Sequence, residues 1–306
     1  MQTAIHRGFA DAIDSLNEKT TALCALPDAG QRRYAYAGPI HMTIVGENPS
    51  FHKMHLEKVA SNPALQGGVY AGAAGLVNLA YIAESKASAA LLFDINAYQT
   101  LFWNLVFEKI KANACAGDFR KDFCNIAQDI HAAQKDYPAT LRENFRAVCH
   151  GAGTTLFKDM SEERLGEWIR QDSRNSTEGR WLHDPSLYTH IRELVQENAI
   201  GAVTLDITNG AACKQVEKYL WQNGGCARLL YASNILNFLQ PVIRRTDFIG
   251  RRISDRTQQN TKENLYGWME ENGHIIECDN LERNTPLLVP ARIFKPGFSA
   301  PTAAPA

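Results

Sequence analysis

Neither sign of charge dominates this chain: 32 Lys and Arg face 33 Asp and Glu, for a formal net charge of -1. That balance offers nothing to draw the chain to nucleic acid or to an anionic membrane surface. The densest basic run, Arg244, Arg245, Arg251, Arg252 and Arg256, is interrupted by Asp247 and Asp255 and reads as a solvated face. No stretch approaches the roughly 18 uninterrupted apolar residues of a membrane-spanning helix. Met1 to Glu18 carries His, Arg, Asp and Glu and lacks the apolar segment of a secretory signal. The 7 cysteines form no C-x-x-C pair and are odd in number, which argues against a zinc site and a disulfide framework. Reduced thiols in a cytoplasmic chain fit that pattern. No G-x-S-x-G elbow occurs, so a serine hydrolase has no support. His52 and His55 would share a helix face, but no further ligands accompany them, and no metal site is expected.

The 306 residues are 45% hydrophobic and 21% charged, which supports a substantial globular core. Apolar spacing predicts a first amphipathic helix over residues 4–25, then a turn at Pro27 to Gly30. A short strand or helix start at Ile40 to Val45 and a helix over 51–60 come next. Gly68 to Gly72 reads as a strand that breaks into a small-residue turn, Ala71 to Gly75. Leu76, Leu79, Ala80 and Ala83 then follow at helical spacing. Ala89 to Phe93 is a continuous apolar run closed by Asp94, the pattern of a strand buried on both faces in a parallel sheet. A helix over 96–112 and a mainly helical stretch, 114–198, precede a strand at 200–206. A helix over 211–222 ends at Gly224-Gly225, and strands are expected at 227–232, 273–278 and 286–294. The Pro/Ala/Gly-rich segment 295–306 reads as a flexible tail.

Strands alternating with helices imply an α/β fold with a mostly parallel sheet and helices on both faces. Residues 1–60 would form an N-terminal helical arm, 61–294 the main domain, and 114–198 an inserted helical cap. Ligands of such sheets bind beyond the carboxyl ends of the strands. The Gly72-Ala73-Ala74-Gly75 turn falls there, before a helix whose first N–H groups lack intrahelical partners. Asp94, about 20 residues later, is placed to accept the hydroxyls of a ribose, although it would also serve as a helix N-cap. Asp206 and Ser233-Asn234, with Asn237, end later strands and are either pocket residues or turn and cap residues. Trp168, Trp181 and Tyr188 read as core.

The D-x-N-x-x-Q run at Asp94, Asn96 and Gln99, preceded by Gly72-x-x-Gly75-x-x-Asn78, resembles the aminocarboxypropyl transferases of betaine-lipid synthesis. Gly67 to Tyr70, Asn78 to Ile82, Trp181-Leu182 and Tyr231-x-Ser233-Asn234 are similar to a bacterial family of uncharacterised methyltransferase-like proteins. Both belong to the class I S-adenosylmethionine superfamily, and the likeness covers residues 65–112 and 180–240. It implies a Rossmann-like domain with S-adenosylmethionine as cofactor. Gly72, Ala73, Gly75 and Asn78 would lie toward the methionine part, Asp94, Asn96 and Gln99 toward the ribose, and Asp206 toward the adenine. Ser233, Asn234 and Asn237 would lie at the reacting centre, with a small-molecule acceptor. Tyr70 and Ala71 stand where the superfamily usually has an acid. Two other readings remain: a non-catalytic ligand sensor or protein-interaction module on the same fold, and a nicotinamide-dependent dehydrogenase, which the incomplete glycine pattern disfavours.

Overall fold

The apolar runs assemble into one six-stranded sheet. The computed structural model describes residues 9–25, 49–73, 75–95, 97–133, 177–233, 235, 255–279 and 285–295. Its strands are β1 (Val69–Ala73), β2 (Ala89–Asp94), β3 (Ile200–Thr204), β4 (Ala227–Ser233), β5 (Met269–Asp279) and β6 (Thr285–Pro290). They lie in the order β3-β2-β1-β4-β5-β6. The first five are parallel, and β6 runs antiparallel to β5. Every residue of β1 is buried, as are Ala89 to Phe93 and Ile200 to Val203. Alternate side chains of a strand point to opposite faces, so both faces of these strands are covered. This is why the runs show no polar alternation.

The register assigns side chains to faces. Phe93 and Gly201 share one face, and Tyr70, Gly72, Thr204 and Tyr231 share the other. On the first face lie α1 (Ile13–Ala25), α8 (Gly210–Asn223) and α9 (Asp255–Tyr266). Ile13 fills the space over the bare Cα of Gly201. The Phe93 ring meets Trp268 edge-on at 5.3 Å, and the Trp268 indole donates to the Cys213 carbonyl of α8. On the second face lie α3 (Val77–Glu84) and α4 (Ala97–Ala112). There Tyr81 stacks on Tyr231 at 5.7 Å, and the Thr100 and Thr204 hydroxyls are 3.0 Å apart. Helices α2 (Pro49–Ser61) and α7 (Pro185–Gln196) pack on α3.

Local chemistry sets the helix ends. Asp184 caps α7 by accepting from the Ser186 N–H at 2.9 Å, with Pro185 in the first turn. Asn209 caps α8 by accepting from the Ala212 N–H. At the far end of α8, Gly225 takes φ +96°, a region open to glycine.

Helix α1 belongs to the main core through Ile13 and Leu16, with Phe9 added by the 3₁₀ helix Phe9–Ala12 before it. It also closes the free side of β3: the Thr204 N–H, which points away from β2, donates to Asn17 Oδ1 at 2.7 Å. Between β2 and β3, α5 (Ala116–Phe123), α6 (Ile126–Ala133), a 3₁₀ helix (Thr177–Leu182) and α7 add no strand among the described residues. Lys109 of α4 reaches Asp122 and Asp129 at 2.7 and 2.6 Å and ties α5 and α6 to it. Trp181 and Tyr188 are both 1% exposed and stack at 6.3 Å, which makes them core.

Four strands differ from expectation: β1 runs on through Ala73, into the expected turn, and β3 stops at Thr204, two residues short of Asp206, whose own loop turns there. β5 starts four residues before Gly273, because Met269 pairs with Ala227 ahead of a break in register. β6 stops at Pro290, and Ala291–Phe294 is a 3₁₀ helix rather than strand. The expectations for residues 27–30 and 40–45, for Trp168 and for the tail from 296 lie outside the described residues. No described helix is long and apolar enough to cross a membrane.

Candidate functional site

Parallel pairing brings the carboxyl ends of β1 to β4 to one edge of the sheet. Thr204 lies beside Asp94, Ala73 beside Phe93, and Gly72 beside Tyr231. The strand order reverses between β1 and β4. Connections leave in opposite directions at such a point and open a crevice beyond the strand ends. The loop after β1 and the tip of β4 flank that point.

Asn78 of α3 organises the loop. Its amide nitrogen donates to the Ala73 and Gly75 carbonyls, both at 2.7 Å. Its oxygen accepts from the Tyr70 hydroxyl, also at 2.7 Å. The side chain is fully buried, so it does not face a ligand directly. A Cβ on Gly72 would fall on Asn78 Oδ1 and lie 2.7 Å from the Tyr70 ring. The missing side chain at 72 therefore makes room for the chain's own amide. Gly75 and Leu76 are buried. At the start of α3 the Asn78 N–H already donates to Gly75 and the Leu79 N–H to Leu76.

Asp94 ends β2 half-buried, and its backbone carbonyl accepts from the Leu205 N–H at 2.7 Å. Gln99, in the first turn of α4, is fully buried. Asp206 is 7% exposed and turned into its own loop, where Oδ1 accepts from the Thr208 N–H and hydroxyl at 2.9 and 2.7 Å. It has the geometry of the turn residue that was the alternative reading. Ser233 closes β4 opposite Glu277. The Ser233 side chain and residues Asn96, Asn234 and Asn237 lie outside the described part. Gly72, Ala73, Gly75, Asp94 and Ser233 are thus gathered along one edge, and Asp206 follows β3 two residues past its end.

Sequence reasoning missed Tyr70 as a partner of Asn78, and it missed the Thr100, Thr204 and Asn17 contacts that order the β3 end. The available signal was the run Tyr70-x-Gly72-x-x-Gly75-x-x-Asn78, in which a bare Cα sits between two side chains able to hydrogen-bond. Among the described residues, no three His, Cys, Asp or Glu gather to hold a metal ion.

No curated protein matches this chain. Residues 48–250, which run from α2 past β4, match the model of a domain of unknown function, DUF7790. The match spans about two thirds of the sequence, and the chain belongs to that family.

Proposed function

We propose that the chain is a Rossmann-like, S-adenosylmethionine-dependent transferase that moves a methyl or a 3-amino-3-carboxypropyl group to, or within, a small molecule. The observation that carries this reading is the reversal of strand order between β1 and β4, flanked by a small-residue loop and by Asp94. The order β3-β2-β1-β4-β5-β6 with covered faces is the arrangement in which dinucleotide-type ligands sit at the switch point. In this reading the residue 72–76 loop meets the methionine end, Asp94 the ribose and the Asp206 turn the adenine. Ser233, Asn234 and Asn237, with Asn96 and Gln99 behind the ribose, line the acceptor side.

The sulfonium is its own leaving group. A nucleophile bonds to the methyl or the γ-carbon, that carbon–sulfur bond breaks, and the electron pair returns to sulfur as a neutral thioether. The protein's part is to align and desolvate the reactants. The four described cysteines that carry free thiols agree with work in the cytoplasm.

Calorimetry with S-adenosylmethionine, S-adenosylhomocysteine, methylthioadenosine and NAD tests the reading. Binding of the adenosyl compounds is expected, and binding of NAD alone would overturn it. Release of methylthioadenosine during turnover identifies attack at the γ-carbon. Asp94→Ala should weaken cofactor binding by about 1.5–3 kcal/mol, the loss of a charge-assisted hydrogen bond.

A second reading, a non-catalytic sensor or interaction module, draws on the full internal engagement of Asn78 and the burial of Gly75. Tight cofactor binding without turnover would favour it.

A further inference from the structure

Three elements meet at the carboxyl end of β3. From β2, the Asp94 carbonyl accepts from the Leu205 N–H at 2.7 Å. From α1, Asn17 Oδ1 accepts from the Thr204 N–H, also at 2.7 Å. From α4, the Thr100 hydroxyl lies 3.0 Å from that of Thr204. Asp94, paired with Thr204 across the sheet, is thus tied to the β3 end twice. One tie is its own carbonyl, and the other is the helix that follows it. Successive N–H groups of a strand point to opposite sides. The Asn17 bond therefore holds Thr204 from the side away from Asp94. Ile13, seated over Gly201, keeps α1 in the place that this bond requires.

We propose that Asn17 is a positioning residue that sets Asp94 through Thr204, and so couples the docking of α1 to binding of the ribose. This rests on the adenosyl-ligand reading, in which Asp94 meets the ribose, and adds a control on affinity from an element remote in sequence. Removing the Asn17 acceptor frees the outer side of Thr204, and with it the two ties that place the Asp94 end of β2. Ribose hydroxyls donate well to a carboxylate only in a narrow setting, because hydrogen bonds weaken steeply away from linear geometry. Coupling between two sites is reciprocal. The ligand must therefore hold α1 to the sheet as strongly as docked α1 favours the ligand.

The test is calorimetry with S-adenosylhomocysteine on the full chain, on Asn17→Ala, on Asp94→Ala and on the double variant. Asn17→Ala should weaken binding roughly fivefold in the wild-type background, the effect of one hydrogen bond, and by less than about twofold where Asp94 is already Ala. Such a cycle isolates the part of the Asn17 effect that passes through Asp94. A purely structural role costs the same factor in both backgrounds. Equal factors, or no loss in Asn17→Ala, overturn the positioning role alone. Failure of the wild type to bind S-adenosylhomocysteine overturns the adenosyl reading and this role with it. Should a variant not fold, or bind too weakly to measure, amide exchange in the wild type decides. S-adenosylhomocysteine should slow exchange in α1 more than in α7. Equal slowing of the two helices overturns the proposal.

Discussion

At the amino ends of the strands, Arg228 of β4 donates to the Glu270 carboxylate of β5 at 3.0 Å and to the Gln66 carbonyl at 2.6 Å. Gln66 in turn donates to the Glu84 carbonyl, and Arg180 approaches the Glu84 carboxylate at 3.3 Å. At the carboxyl ends the corresponding work falls to neutral groups: the Asn78 amide, the Tyr70 phenol, the paired Thr100 and Thr204 hydroxyls and the Asn17 amide. The charged end is partly wet, with the Arg228 and Glu270 side chains 28% and 34% exposed. Asn78 and Tyr70 are 0% exposed. Exposed ion pairs contribute little and yield to salt, whereas a buried neutral group is costly to leave unpaired. One end is fastened loosely and adjustably, the other rigidly and locally, and the rigid end holds the candidate site.

The largest effect should come from the rigid end. Asn78→Ala removes three buried hydrogen bonds, to the Tyr70 hydroxyl and to the Ala73 and Gly75 carbonyls, and should cost about 3 kcal/mol in urea unfolding, at ~1 kcal/mol for each. The loss should be the same at low and high salt, and a salt-dependent loss would erase the contrast between the ends. Arg228→Ala should cost only about 1 kcal/mol at low ionic strength, and less at ~1 M salt, where the Debye length falls to about 3 Å.

The smallest effect concerns Glu84. Burial raises its pKa from the ordinary 4.5, and Arg180 lowers it less, in keeping with a 3.3 Å ion pair in which no hydrogen bond to Oε1 forms. The fold thus binds this proton more tightly than the unfolded chain does. Its contribution is complete below the unfolded pKa and is lost as pH rises through the folded one. Wild type should therefore gain stability relative to Glu84→Gln as the pH falls from neutral to below 4.5. A gap that narrows on acidification would show that Arg180 governs the carboxylate.

The strands were legible where they are buried on both faces: the runs at 89–94 and 200–206 announced themselves by lacking polar alternation, although the second leaves the sheet at Thr204, before Asp206. β5 was harder, because Glu270, Glu271 and Asn272 open it with polar residues and its true start depends on pairing with Ala227 across the sheet. The small-residue turn expected at Ala71 to Gly75 comes later than the sequence suggested, since Ala71, Gly72 and Ala73 are paired within β1. Gly72 was expected to lie toward the ligand, while the volume over its Cα holds Asn78. That contact joins a strand residue to a helix residue six positions on, and only the tertiary path of the loop brings them together. Asp206 carried both a pocket and a turn reading, and local hydrogen bonds to Thr208, two residues away, now account for its Oδ1.

The Asn17 contact on Thr204 has a consequence beyond the site. Among the described residues β3 ends the sheet, and a bare outer strand offers a template on which another molecule can add a strand. By giving the Thr204 N–H an acceptor and laying α1 alongside, the chain withdraws that template from solution. Undocking α1 would return that N–H to solvent, and a form of the protein lacking α1 is expected to self-associate through β3 more readily than the full chain, which light scattering would read.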